Sequence, residues 1–214
     1  TRAMKMVAAA KVKKAENLVK CSRPYSRELL KVVKKVLASN PVIDQADGEF
    51  EHAIDNYPKM LEQRELNSVG LFVVTSDKGL AGAFNANVIR KAIARMRELE
   101  RDGIKVKLFI VGNKGYSALK KTGREIVKVY TRLPAVQTPG GANVIAEELA
   151  ESYVGEEVDR LEIITTRFKS MLSFNVEVWQ LLPVVISSKN EEKSGIEPEM
   201  MFEPSTERVL QNVV

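Results

Sequence analysis

An α/β body with parallel strands, carried on a long basic helix, is the fold class that three features of the chain predict. Continuous apolar runs alternate with helical periods between residues 69 and 186, a seam spaced four and three runs through residues 1–38, and positive charge is concentrated in that seam. Across residues 1–40 eleven Lys or Arg face two acids, a local charge of +9, whereas the whole 214-residue chain carries +5. A basic rod therefore precedes a mildly acidic body, and any polyanionic partner has to meet the rod.

The seam reads Met4, Ala8, Lys11, Ala15, Leu18, Ser22, Tyr25, Leu29, Val32, Val36, the repeat of a coiled-coil face. Several of these positions are small or polar, so the helix buries little apolar area by itself and asks for a second helix beside it. Pro24 removes one backbone hydrogen bond, yet the seam stays in phase through Tyr25 and Leu29, which predicts a single helix, kinked at most. Such a rod is about 57 Å long at ~1.5 Å per residue.

Five segments follow from this reading: a shaft helix over 1–40, a linker over 41–68, an α/β domain over 69–186, a loop over 187–203, and the start of a further helix over 204–214. The linker is polar and aperiodic, with one short helix expected around Met60 to Glu65. Val69 to Thr75 is continuously apolar, as a strand covered on both faces requires. Ile89, Ala92, Ile93, Met96 and Leu99 repeat at helical spacing until Gly103. Val106 to Val111 and Glu125 to Tyr130 read as strands, with a short helix between them that Asn113 is placed to cap. Ala142 to Val154 reads as a helix, and Leu161 to Thr166 as another strand. Phe174 to Leu182 alternates apolar and polar residues, which places it at or near a sheet edge. Pro204-Ser-Thr-Glu207 is a helix start, with Ser205 as cap.

Composition removes many chemistries. One cysteine, Cys21, excludes an internal disulfide and a cysteine zinc site. One histidine, His52, in the polar linker and expected to be exposed, leaves little for imidazole catalysis. No apolar stretch approaches the roughly 20 residues of a membrane helix, and no leader pattern precedes a cleavage site, so a soluble protein of a reducing compartment is expected.

The motif that most resembles a site is Ser76-Asp-Lys-Gly-Leu-Ala-Gly-Ala-Phe-Asn85, between a buried strand and a helix, where α/β proteins cradle phosphates. Gly79 and Gly82 give GxxG, however, neither GxGxxG nor GK[ST], so the glycines are read as a tight strand-to-helix turn. Gly112-Asn-Lys-Gly115 is read as a second turn. Asp77 and Lys78 lack a second carboxylate to complete an acid–base pair and are read as a solvated ion pair. Trp179 is assigned to packing on the edge strand. Two function classes besides a mechanical part remain open on these residues: a small nucleotide-binding protein using the 76–85 turn, and a nucleic-acid-binding module using the rod. The rod offers only Tyr25 for stacking on bases, against the second.

The segments Thr1-Arg-Ala-Met-Lys-Met-Val-Ala-Ala-Ala-Lys11, Arg23-Pro-Tyr-Ser26, Ser76 to Asn85, Leu181-Leu-Pro183 and Phe202-Glu-Pro204 together resemble, in order, the gamma-subunit family of rotary F-type ATP synthases, in a bacterial more than a mitochondrial style. The resemblance implies a Rossmann-like domain without nucleotide, with its mostly parallel sheet, and terminal helices paired as an antiparallel coiled-coil shaft. It implies a non-catalytic rotor with no catalytic, cofactor-binding or metal-ligating residue, coupling proton flow to ATP synthesis or hydrolysis on the beta subunits. The implied partners are the alpha3-beta3 hexamer, the epsilon subunit and the c-ring, without nucleic acid, at the cytoplasmic face of a bacterial membrane. Arg2, Lys5, Lys11, Lys13 and Lys14 match the family's basic helix facing the beta subunits; Phe202, Glu203 and Pro204 match its foot at the c-ring and epsilon. Relative to the family, the chain is expected to lack a preceding helical segment and most of the C-terminal helix. Ala81 stands where the family usually has cysteine. The loop between Leu182 and Phe202 lacks the cysteine-containing insertion of the chloroplast form, so no thiol regulation is expected.

Overall fold

A computed structural model describes residues 2–39, 42–44, 50–52, 59–133, 139–168 and 174–184, which fall into two compact units. The first, Thr1–Pro58 with Ile186–Val214, holds helix α1 (Arg2–Ser39) and the strands β1 (Val42–Asp44) and β2 (Phe50–His52). α1 runs 38 residues without interruption at Pro24. Its described side chains are exposed apart from Glu16, Leu29 and Val32, which are half-buried. The seam residues Leu18 and Tyr25 are 51% and 71% exposed. Local ion pairs fill the surface instead: Glu16 with Lys20 at 2.8 Å and Lys13 at 3.7 Å, and Lys31 with Glu28 at 2.8 Å.

The stretch read as a linker is not all irregular, because β1 and β2 pair antiparallel, Val42 opposite His52. Strands of three residues are too short to reveal a period of two in sequence. The expected helix around Met60 to Glu65 is a single 3-10 turn over Lys59–Leu61, pinned by the buried Leu61.

The second unit, Lys59–Val185, is built on a five-stranded sheet in the order β5-β4-β3-β6-β7. Its strands are β3 (Ser68–Val74), β4 (Lys105–Val111), β5 (Glu125–Tyr130), β6 (Arg160–Phe168) and β7 (Phe174–Leu182). The first four pair parallel and β7 pairs antiparallel with β6. Helices α2 (Phe84–Arg101), α3 (Asn113–Leu119) and α4 (Pro139–Val154) make the crossovers.

Each face of the sheet carries its own core. Val69, Leu71 and Val73 of β3 pack with Val88, Ala92, Met96 and Leu99 of α2 and Leu119 of α3, while Phe72 and Phe109 pack with Leu149 and Tyr153 of α4. Burial on both sides explains the unbroken apolar run of β3. Gly70 lies in its middle because a Cβ there would stand 2.6 Å from a methyl of Leu161 and 3.0 Å from the Phe109 ring. On the edge strand β7, Val176 and Val178 pack against the α2-side core, whereas Trp179 is 38% exposed on the other side of the strand.

Two polar ties close the domain. Arg95 of α2 makes a bidentate fork on Glu162 of β6, both bonds 2.8 Å, and Glu162 is only 5% exposed. The Arg64 guanidinium donates to the carbonyls of Tyr153 (2.6 Å) and Val158 (3.2 Å) and lies 4.3 Å from the centre of the Tyr153 ring. The Tyr153 hydroxyl in turn donates to the Glu62 carbonyl, fastening residues 59–66 to α4.

Candidate functional site

Two regions carry the sequence-predicted residues. On α1, Lys5, Lys11, Lys13 and Lys14 are exposed; the Arg2 side chain, like Phe202, Glu203 and Pro204, lies outside the described residues. At 3.6 residues per turn, Lys11 and Lys14 stand about 60° apart around the axis and share one side, whereas Lys13 projects about 160° from Lys11. The lysines thus form a collar and not a stripe, and Lys13 is shared with Glu16 at 3.7 Å. Cys21 is a free, exposed thiol on the same helix. His52 lies in β2 by its backbone, and its side chain is outside the described residues.

The second region is the end of the sheet where the parallel strands finish. Residues 76–85 form the tight turn read from the glycines: Leu80 and Gly82 adopt φ of 60° and 54°, and Leu80 projects fully into solvent. The polar groups of the turn satisfy one another. The Ser76 amide donates to Asn85 Oδ1 (3.0 Å), the Asn85 Nδ2 donates to Ser76 Oγ (2.9 Å), and Ser76 Oγ lies 2.6 Å from the Lys78 carbonyl.

Asp77 is not a solvated partner of Lys78. Its Oδ1 accepts from the Asn113 amide (3.0 Å) and its Oδ2 from the Arg132 amide (2.9 Å), so one carboxylate ties the ends of β3, β4 and β5 together. Asn113 accordingly does not cap α3: it is the first helical residue, after Gly112, and the carboxylate at the start of the helix is Asp77. The protein's own anion sits where the backbone amides favour negative charge. Gly112, at φ 91°, admits this approach, since a Cβ there would lie 2.5 Å from the Thr75 carbonyl oxygen. The buried Thr75 hydroxyl donates to the Val111 carbonyl (2.6 Å) and accepts from the Gly115 amide (2.9 Å). Both glycine motifs are therefore used internally.

Sequence reasoning missed a crevice beside this turn. β3, β4 and β5 follow one another outward with α2 and α3 on one face, and the chain then returns through α4 on the other face to lay β6 against β3. That reversal between β3 and β6 is the topological switch point, the place where open α/β sheets receive ligands. A groove of about 410 Å³ opens to one side of it, between α2 and the β6–β7 pair, lined by Phe84, Asn87, Arg90, Lys91 and Ala94 of α2, Thr166 of β6, and Asn175 and Val176 of β7. Among the described residues no group of His, Cys, Asp and Glu is placed to hold a metal ion, and no helix is long and apolar enough to cross a membrane.

A doubly covered, mostly parallel sheet whose phosphate-loop position is filled by its own side chains defines a Rossmann-like domain, here on a chain that also carries a long basic helix. A model of the ATP synthase family matches residues 1–214. The ATP synthase gamma chain of Picosynechococcus sp. is 40% identical over 185 residues, covering 86% of this chain and 55% of that protein. That of Nostoc punctiforme is 38% identical over 184 residues, with the same coverage of 86% and 55%. The chain belongs to the ATP synthase gamma-chain family. It spans about half the length of these curated relatives, 55% in each case. In fold it is similar to a chain of the Tetrahymena thermophila mitochondrial ATP synthase central stalk and c-ring structure, with TM-score 0.61 and 22% identity over 99% of this chain and 84% of that one.

Proposed function

We propose that the chain is the central-stalk rotor subunit of a proton-translocating ATP synthase, a mechanical part without a catalytic site of its own. In this reading α1 pairs with a helix beginning near Pro204, and the coiled-coil shaft turns inside an alpha3-beta3 hexamer. Its asymmetry carries the ATP sites on the beta subunits through their states in turn, coupled to proton flow through a c-ring. Arg2, Lys5, Lys11, Lys13 and Lys14 bear on acidic segments of the beta subunits. Phe202, Glu203 and Pro204 form the foot that meets the c-ring and epsilon, which keeps the subunit peripheral to the cytoplasmic face of a bacterial membrane.

The observation that carries this reading is the pairing of a gamma-chain sequence, 40% identical to a curated relative, with a 38-residue helix whose seam residues Leu18 and Tyr25 are exposed. A collar of lysines suits a part that meets a ring of similar acidic surfaces in succession, since exposed charges steer and bear without fixing one partner geometry. The test is reconstitution of the full-length subunit with alpha, beta, epsilon and the c-ring. Co-purification and ATP-driven proton pumping are expected, and Lys11→Glu, Lys13→Glu and Lys14→Glu together should reduce pumping to a small fraction. Failure of the unaltered subunit to co-purify overturns the rotor reading, and undiminished pumping by the triple variant overturns the electrostatic bearing.

A further inference from the structure

We infer that the groove between α2 and the β6–β7 pair is a docking site for an acidic peptide segment of a protein partner, one that sets an apolar side chain beside a carboxylate. This goes beyond the rotor reading and does not depend on it.

The argument begins with charge. Arg90 and Lys91 both line the groove, and among the described residues neither has a carboxylate at ion-pair distance; the Arg90 Nη1 reaches only the Asn87 side-chain oxygen, at 3.3 Å. Several basic residues of this domain are matched, as Arg95 with Glu162, Arg124 with Glu100, Lys128 with Glu148, and Arg167 with Glu177; what sets Arg90 and Lys91 apart is that they are unmatched and line a groove together. Two adjacent unmatched cations facing a crevice favour a carboxylate, and an arginine can take one through two parallel bonds.

The hydroxyl of Thr166 adds a second observation. Its oxygen is buried below the groove surface and has no hydrogen-bond partner, so it meets a ligand only after rotation about χ1, which would relieve its desolvation cost. Asn87 and Asn175 add donors and acceptors along the same groove.

The remaining lining is apolar. Phe84, Ala94 and Val176 give the groove a surface that a bare phosphate does not use, and its volume of about 410 Å³ is that of a site for a larger group. Arg90 and Lys91 also lie in the second turn of α2, away from the Ser76 to Asn85 turn whose polar groups are already engaged with one another. A nucleotide would set its phosphates at the helix start. A peptide side chain pair, carboxylate on the cations and aliphatic group on Phe84 and Val176, uses the whole lining.

The test uses the full-length subunit and a fluorescein-labelled peptide of alternating leucine and glutamate, followed by anisotropy. Saturable binding is expected, weakened about tenfold or more, or ~1.4 kcal/mol, by Arg90→Glu with Lys91→Glu. Ala94→Trp, which fills the groove without changing charge, should weaken it similarly and covers the case in which the charge-reversed chain fails to fold. Thr166→Val should have a smaller effect in the same direction. Binding that survives both groove changes, equal binding of a leucine–lysine peptide, or absence of binding overturns the proposal. Displacement of the peptide by millimolar inorganic phosphate or ATP also overturns it, assigning the groove to phosphate ligands instead.

Discussion

Helix α1 and strand β3 are both rich in apolar residues, yet they stand at opposite limits of burial. Of the seven residues of β3, five are buried, Val69, Leu71 and Val73 completely. Along 38 residues of α1 the described side chains are at most half-buried. Each fully buried aliphatic side chain of β3 contributes roughly 1.5–3 kcal/mol, whereas an i,i+4 pair on α1 such as Glu16 with Lys20 is screened by solvent and adds little. The body thus carries its stability within itself, while α1 presents surface. On the rotor reading proposed above, that division would supply a folded head and a shaft whose apolar and basic surface meets partners.

The largest test of this contrast is Glu162→Ala. It removes the buried partner of the Arg95 fork and leaves the guanidinium only Glu98, at 3.1 Å on the more exposed side; removal of one partner of a buried pair costs on the order of 3–5 kcal/mol. Arg95 is 26% exposed at its side chain, so solvent reaches it and the lower end of that range is expected. Urea unfolding of the body measures it. A loss below about 1 kcal/mol would mean that the fork behaves as a surface pair and that the α2-side core alone holds β6.

Asp77→Ala is the next in size. It removes the acceptor for the Asn113 and Arg132 amides, and the loss of hydrogen bonds to a charged group is worth about 1–3 kcal/mol. Faster amide exchange at Asn113 and Arg132, with the amides of β3 unchanged, is the expected signature. Exchange rates unaltered at both amides would show that the turn does not depend on the carboxylate.

The two regions also differed in how much the sequence disclosed. Apolar runs and periods marked the sheet well: Glu125–Tyr130 and Phe174–Leu182 have the expected bounds, and alternation placed the latter at the edge, where it is β7. Each of these signals is local, generated by burial of one or both faces. α4 begins at Pro139, three residues before the expected start, although a proline at the first helical position is a legible signal. What stayed hidden depends on residues far apart in the chain. Asp77 reaches Asn113 and Arg132, Asp159 accepts from the amides of Asn67 and Ser68, and the groove joins α2 to strands some 80 residues later. No periodicity records such meetings. Glu162 inside an apolar strand was a visible anomaly, a buried acid that had to have a cation, but its partner Arg95 could be named only from the fold.

The smallest expected effect is the response to pH, and it separates the regions by sign and by place. Glu100 is held below its ordinary value of 4.5 by the Arg124 fork, and Glu148 by the Tyr130 hydroxyl and the Lys128 ammonium beside it. A depressed carboxylate contributes stability that is complete above 4.5 and disappears as pH falls through its lower folded value. Tyr130 and Tyr153 are shifted upward from 10.0, chiefly by burial. The unfolded chain therefore releases these protons first, and stability declines above pH 10. On α1 the ammonium groups of Lys20 and Lys13 lower Glu16 in the same direction as Glu100, but both lysines are exposed, so salt screens the effect. The thermal midpoint of the body should accordingly form a plateau between about pH 5 and 9, falling on both sides. Added salt should leave the alkaline fall in place, since burial causes it, and should blunt the response of α1 amide exchange to acid. An alkaline fall abolished by salt would mean that Tyr130 and Tyr153 respond to surface charge and not to the core they help to fill.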